Sequence, residues 1–135
     1  MEYKALLVDM DYCADPIWVS EDPAAPYFAN GSLEGFEGIL TDGLLHGLQV
    51  YQRTWEAAMW SKYMGPDAED HRFPSMDLVF DMLFEMVIPL AAELKAQLPE
   101  CRVFYRRYDE NTGRSVQLEI GGDKPDTTIR PTMVG

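Results

Sequence analysis

The sequence predicts an α+β domain: a small antiparallel sheet of roughly three to four strands, with two main helices packed on one face. Three observations predict it. A short apolar run over residues 3–10 lies near the start; two long central stretches repeat apolar residues at intervals of three and four; and two alternating segments follow towards the C-terminus. A chain of 135 residues is long enough for one hydrophobic core and too short for two independent ones. Its 3 Trp, 7 Tyr and 6 Phe supply the apolar surface that a disordered chain of this charge would lack.

Residues 3–10 are too few and too continuously apolar for an amphipathic helix, so they read as a largely buried strand ending near Asp11. Asp15-Pro16 breaks regular structure, Ile17-Trp18-Val19 forms a second short strand, and residues 20–38, with Pro23, Pro26 and three glycines, read mostly as loop. Thr41 is a candidate N-cap for a helix over 41–63, whose stripe is Leu44, Leu48, Tyr51, Trp55, Ala58 and Met59. Gly65-Pro66 stops it, and residues 67–70 form an acidic linker.

Ser75 is placed to cap a second helix over 75–97, with Asp77 in the first turn, where the helix dipole favours an anion. Its apolar set is Met76, Val79, Phe80, Leu83, Val87, Leu90, Ala91 and Leu94. Pro89 falls inside that set, and an interior proline removes a backbone hydrogen bond, so the helix is expected to kink there or restart. Pro99 ends it. Residues 102–108 and 115–120 alternate as strands about a turn at 109–113, giving a hairpin. Residues 121–135 have no periodicity, so the domain is expected to span 1–120 and the rest to form a flexible tail.

The net charge is −12, and the acid is unevenly spread: residues 1–100 carry 18 acidic and 5 basic side chains, residues 101–135 carry 5 and 6. A field of that sign repels phosphate backbones and anionic lipid, which disfavours direct nucleic-acid or membrane-surface binding and steers in a basic protein partner. The same charge also serves plain solubility. No stretch approaches the roughly 18 apolar residues of a membrane span, and no basic region with an apolar run opens the chain, so the expected location is cytoplasmic. Cys13 and Cys101, far apart and without CxxC or Cys/His neighbours, read as reduced thiols.

Candidate chemistry is sparse. Asp9 and Asp11 stand at i and i+2 at the end of the first strand, where two carboxylates can face one cleft and hold Mg²⁺. His46 and His71 have no HxxxH or HxE spacing, and no Ser-His-Asp set can be nominated from spacing alone. Trp55 belongs to the helix stripe, whereas Trp60 lies about 140° from it on a helical wheel and is the better partner contact. Arg102, Arg106 and Arg107 alternate along a strand with tyrosines, and internal ion pairing is their expected use in so acidic a chain. No motif implies a cofactor.

Leu6-Leu7-Val8-Asp9-Met10-Asp11 resembles the first motif of haloacid-dehalogenase-type phosphatases, which implies Asp9 as nucleophile and Asp11 as general acid/base. The resemblance covers six residues; Tyr12-Cys13 replaces the family's Gly-Thr, and the βαβ alternation of that fold is missing. A broader likeness spans residues 5–108. Asp11-Tyr12 with Pro16-Ile17-Trp18, Leu40-Thr41 with Leu44, Leu48 and Trp55, Phe73-Pro74-Ser75 with Phe80, Leu90-Ala91-Ala92-Glu93-Leu94, and Val103-Phe104-Tyr105 resemble small bacterial proteins of toxin-immunity type. That resemblance implies a non-enzymatic binding module that neutralises a basic toxin or effector. The partner-binding residues on this reading are Glu34, Glu37, Asp42, Trp60, Asp67, Glu69 and Asp70. The alternatives are an inhibitor whose carboxylates imitate nucleic-acid phosphates, and a Mg²⁺-dependent hydrolase using Asp9 and Asp11.

Overall fold

The computed structural model describes residues 1–11, 13–24, 27–59, 76–109, 114–121 and 130–131. Strands β1 (Ala5–Val8), β2 (Ile17–Ser20) and β3 (Ala29–Asn30) come first, followed by a 3₁₀ turn at Leu33–Phe36. Helices α1 (Asp42–Met59) and α2 (Met76–Gln97) follow, and then strands β4 (Arg102–Asp109), β5 (Arg114–Ile120) and β6 (Arg130–Pro131). The strands join in one sheet of order β3-β2-β1-β4-β5-β6. The α+β class is as expected; the all-antiparallel sheet of three to four strands is not.

β1 pairs antiparallel with β2, Val8 opposite Ile17, and parallel with β4, Leu7 beside Phe104. The reason lies in the crossover. The chain leaves β1, makes its hairpin with β2, runs through both helices and returns on β1's other side, as a parallel pair requires. The expected hairpin of β4 and β5 is present, with Val103 opposite Ile120. Within 121–135, Arg130–Pro131 pairs with β5; residues 122–129 and 132–135 lie outside the described set, as do Ser75 and the linker at 67–70.

All four residues of β1 are buried because both faces of the sheet are covered there. On one face Leu6, Val8, Ile17, Val19, Val103 and Tyr105 meet the helix stripes. Those stripes are Leu44, Leu48 and Tyr51 from α1 and Leu83, Val87, Ala91 and Leu94 from α2, as the periodicity predicts. Trp55 is half-buried against the same core. On the other face Ala5, Leu7 and Phe104 form a smaller cluster with Trp18 and Phe28, whose ring meets Phe104 edge-on with centroids 5.9 Å apart.

Thr41 caps α1 as expected, its Oγ1 accepting from the Leu44 N–H at 3.3 Å. α2 is one continuous helix from Met76 to Gln97 with Pro89 inside it, so the expected kink or restart is not matched. The physical reason is local: Pro89 is exposed, the carbonyl it frees can face water, and the buried stripe carries the packing through the interruption. The helices run antiparallel and approach closely at Gly47, where a Cβ would lie 2.9 Å from Leu90 Cδ2. Gly31 meets a similar constraint beside β2: a Cβ there would sit 3.0 Å from Val19 Cγ1 and 3.2 Å from the Ile17 carbonyl.

Arg102 ties the second face together. Its Nε and Nη2 donate to the two Glu119 carboxylate oxygens at 2.8 and 2.7 Å, Nη1 donates to the Pro23 carbonyl at 2.7 Å, and the guanidinium stands 4.9 Å from the Phe104 ring centroid. Lysine cannot reproduce this fork. With a third of the arginine side chain exposed, Arg102→Lys is expected to cost only about 1 kcal/mol, read as a lower urea midpoint at unchanged slope. An unchanged midpoint would show that the clamp adds nothing to stability.

Candidate functional site

Two groups of acidic residues stand out, and the fold treats them differently. The first is at the C-terminal end of β1. The Asp9 N–H donates to the Pro16 carbonyl at 3.1 Å and the Asp9 carbonyl accepts from Trp18 Nε1 at 3.1 Å, so the backbone there is fixed by the β1–β2 connection. The same connection is pinned by Gln52 Nε2, which donates to the Ala14 carbonyl at 3.2 Å, and holds Cys13 at φ 57°.

The Asp9 carboxylate faces β4, where Arg106 Nη1 lies 3.4 Å from Oδ2; 26% of the Asp9 side chain is exposed. Burial pushes its carboxyl up from the usual 3.8 to about 6; the Arg106 guanidinium pulls the other way and the neighbouring Asp11 carboxylate adds to the rise. On the helix side Tyr51 is buried, and its phenol is held protonated well above its ordinary value by that burial and by the Asp9 charge. The buried Nε of Arg106 makes no hydrogen bond.

This arrangement bears on Mg²⁺ directly. The cation beside Asp9 is a guanidinium, which a divalent ion would have to displace. Among the described residues, no group of three His, Cys, Asp or Glu side chains is placed to hold a metal ion. The sequence does place Asp9 and Asp11 correctly at the strand end; it does not reveal Arg106, which arrives 97 positions later through the parallel β1–β4 register. As expected, the strand arginines are used in ion pairs, Arg102 with Glu119 and Arg106 with Asp9. The Arg107 side chain lies outside the described set.

The second group is at the corner where the 3₁₀ turn leads into α1. Glu34, Glu37 and Asp42 are all exposed, and among the described residues none of the three is in an ion pair. Asp15 holds this corner in place, its Oδ2 accepting from the Leu33 N–H at 2.9 Å, while Asn30 bonds the Asp15 backbone in both directions at 3.1 and 2.8 Å. The corner is joined to the end of α2 through Gln97. Gln97 Oε1 accepts from the Thr41 N–H at 2.9 Å, and its Nε2 donates to Thr41 Oγ1 at 2.8 Å and to Glu93 Oε1 at 3.0 Å. Glu93 thus extends the acidic surface; its position about one turn before the α2 C-terminus gives no sign in the sequence that it would meet the α1 cap.

Trp60, Asp67, Glu69 and Asp70 lie outside the described residues, as does His71. His46 is exposed on α1. Cys13 is exposed and Cys101 buried, both free thiols; Cys101 donates to the Tyr3 carbonyl at 3.4 Å, and burial raises its pKa, which makes it a poor nucleophile. Among the described residues no helix is long and apolar enough to cross a membrane. In comparisons with protein-family models, with curated proteins and with solved structures, no match to this chain was found.

Proposed function

We propose that this chain is a non-enzymatic, acidic protein-binding module, an inhibitor of immunity type that neutralises a basic toxin or effector. The observation that carries the reading is the contrast between its two sets of carboxylates. Asp9, Asp15 and Glu119 are consumed by the fold, in ion pairs or a turn cap. Glu34, Glu37 and Asp42 are presented to solvent on a braced corner with no cation among the described residues to neutralise them. A rigid anionic surface of this kind accelerates encounter with a cationic partner and excludes phosphate-bearing ones.

The test is affinity capture from the native cell lysate at low and high salt, followed by kinetics on the captured protein. The triple variant Glu34→Lys, Glu37→Lys, Asp42→Lys is expected to slow association at low salt by about tenfold or more and to flatten its salt dependence. Unchanged kinetics would remove this corner from the interface. Release of the partner by added DNA or RNA would assign the target to the nucleic-acid-binding proteins, the phosphate-imitating version of the same inhibition.

A further inference from the structure

The outward surface of the helix pair is the feature that neither core packing nor the acidic corner explains. α2 exposes Asp81, Met82, Glu85, Ile88, Pro89, Ala92, Glu93 and Ala96, a face with five apolar residues, three carboxylates and no cation. A solvent-facing helix surface is ordinarily dominated by polar side chains of both signs. Here Met82 is 50% exposed and Ile88 41%, and Val50 on α1 is 38% exposed.

Part of this surface runs along the outer seam between the two helices. Gly47 against Leu90 and Thr41 against Gln97 fix an antiparallel pair in close contact. At about 3.6 residues per turn, Gly43, Val50 and Ala57 border the outer seam on the α1 side, and Met82, Met86 and Pro89 border it on the α2 side. The α1 border is small and the α2 border bulky and flexible, and a Cβ built at Gly43 would meet nothing within 4 Å. On the α2 side of the seam stand the exposed carboxylates Asp81, Glu85 and Glu93, and the one exposed arginine on either helix among the described residues is Arg53.

We infer that this seam is a docking site for an amphipathic, basic helix of the partner protein, its apolar stripe on Val50 and Met82 and its lysines or arginines against Asp81, Glu85 and Glu93. The inference rests on the protein-binding reading above and specifies its partner. Charge decides the occupant. A second copy would bring the same three carboxylates against these three in a chain of net charge −12, whereas a cationic helix is complementary to the carboxylates and to the exposed apolar side chains together.

The experiment uses the full chain and labelled synthetic peptides about five turns long. A leucine–lysine helix with all leucines on one face is compared with the same peptide carrying serine for leucine, by fluorescence anisotropy. The leucine–lysine peptide is expected to bind about tenfold tighter than the serine–lysine control. Val50→Ser with Met82→Ser, both at exposed positions, is expected to erase that difference while leaving the thermal midpoint in place. Equal binding of the two peptides to the wild-type chain, or an advantage for the leucine peptide that survives the double substitution, would overturn the docking seam. If binding is nevertheless lost in the Glu34→Lys, Glu37→Lys, Asp42→Lys variant, the acidic-module reading stands without it. If neither peptide binds at all, both fall. Sedimentation that shows a wild-type dimer dissociated by the double substitution would also overturn the inference, by giving the seam to a second copy.

Discussion

Leu48→Ala is expected to lower the unfolding free energy by about 3 kcal/mol, the largest effect of any single change considered for this chain. Leu48 is fully buried on the inner stripe of α1, in the core cluster shared by both helices and the sheet. Truncation removes three carbons from an interior close-packed on every side, and the walls cannot follow them. β1 is hydrogen-bonded on both edges, and α1 is held against α2 at Gly47, so the lost transfer energy and the cavity add. Val50→Ala, two residues away but exposed, is the internal control and should change stability by about 0.5 kcal/mol or less. Urea unfolding of both variants checks the pair: a lower midpoint at unchanged slope is the expected result for Leu48→Ala. Equal midpoints for the two would mean that α1 does not pack on the sheet through this stripe.

Leu48 belongs to the part of the fold that was legible in the sequence, because helical periodicity reports which face is inside regardless of what it packs against. Thr41 as a cap, the stripes Leu44-Leu48-Tyr51 and Leu83-Val87-Ala91-Leu94, and the β4–β5 hairpin all follow from local pattern. The parallel pairing of β1 with β4 does not, because it depends on where the helical crossover returns the chain. A clue is present all the same: Ala5-Leu6-Leu7-Val8 is apolar without alternation, as a strand covered on both faces must be, whereas an antiparallel strand with one wet face alternates. β3 and β6, two residues each, exist only through their partner strands and leave no periodic trace.

The candidate sites divide along the same line. That Glu34, Glu37 and Asp42 would be exposed follows from an irregular segment and a helix start. That Glu93 joins them, through Gln97 and Thr41, is a consequence of antiparallel helix packing. The two aspartates at the end of β1 are readable as a pair, but the guanidinium that β4 brings beside Asp9 depends on the unforeseen register.

That register also makes Asp9 the source of a measurable pH dependence. Its carboxyl titrates near 6 in the folded chain and near 3.8 when unfolded, so between about pH 4 and pH 6 the folded chain holds a proton that the unfolded chain has released. Stability must therefore fall as the pH rises through that window, by on the order of 2 kcal/mol for this group. The direction is the reverse of that for an ordinary salt-bridged aspartate, because the burial of the carboxyl beside Tyr51 outweighs the attraction of Arg106, and Asp11 adds repulsion. Other carboxylates in a chain of net charge −12 also respond to pH, so the informative quantity is the wild-type stability minus that of Asp9→Asn, measured by urea unfolding from about pH 4 to pH 7. The amide keeps the side-chain shape and both backbone hydrogen bonds of residue 9, and it cannot ionise. The difference is expected to decline with rising pH and level off above about pH 7, with the wild type losing its advantage as its carboxylate is forced to charge. A difference that climbs over the same range would mean that the guanidinium dominates, and that Asp9 and Arg106 form a stabilising ion pair rather than a buried acid with an imperfect partner. Parallel curves would mean that water reaches the Asp9 carboxylate as freely in the folded chain as in the unfolded one.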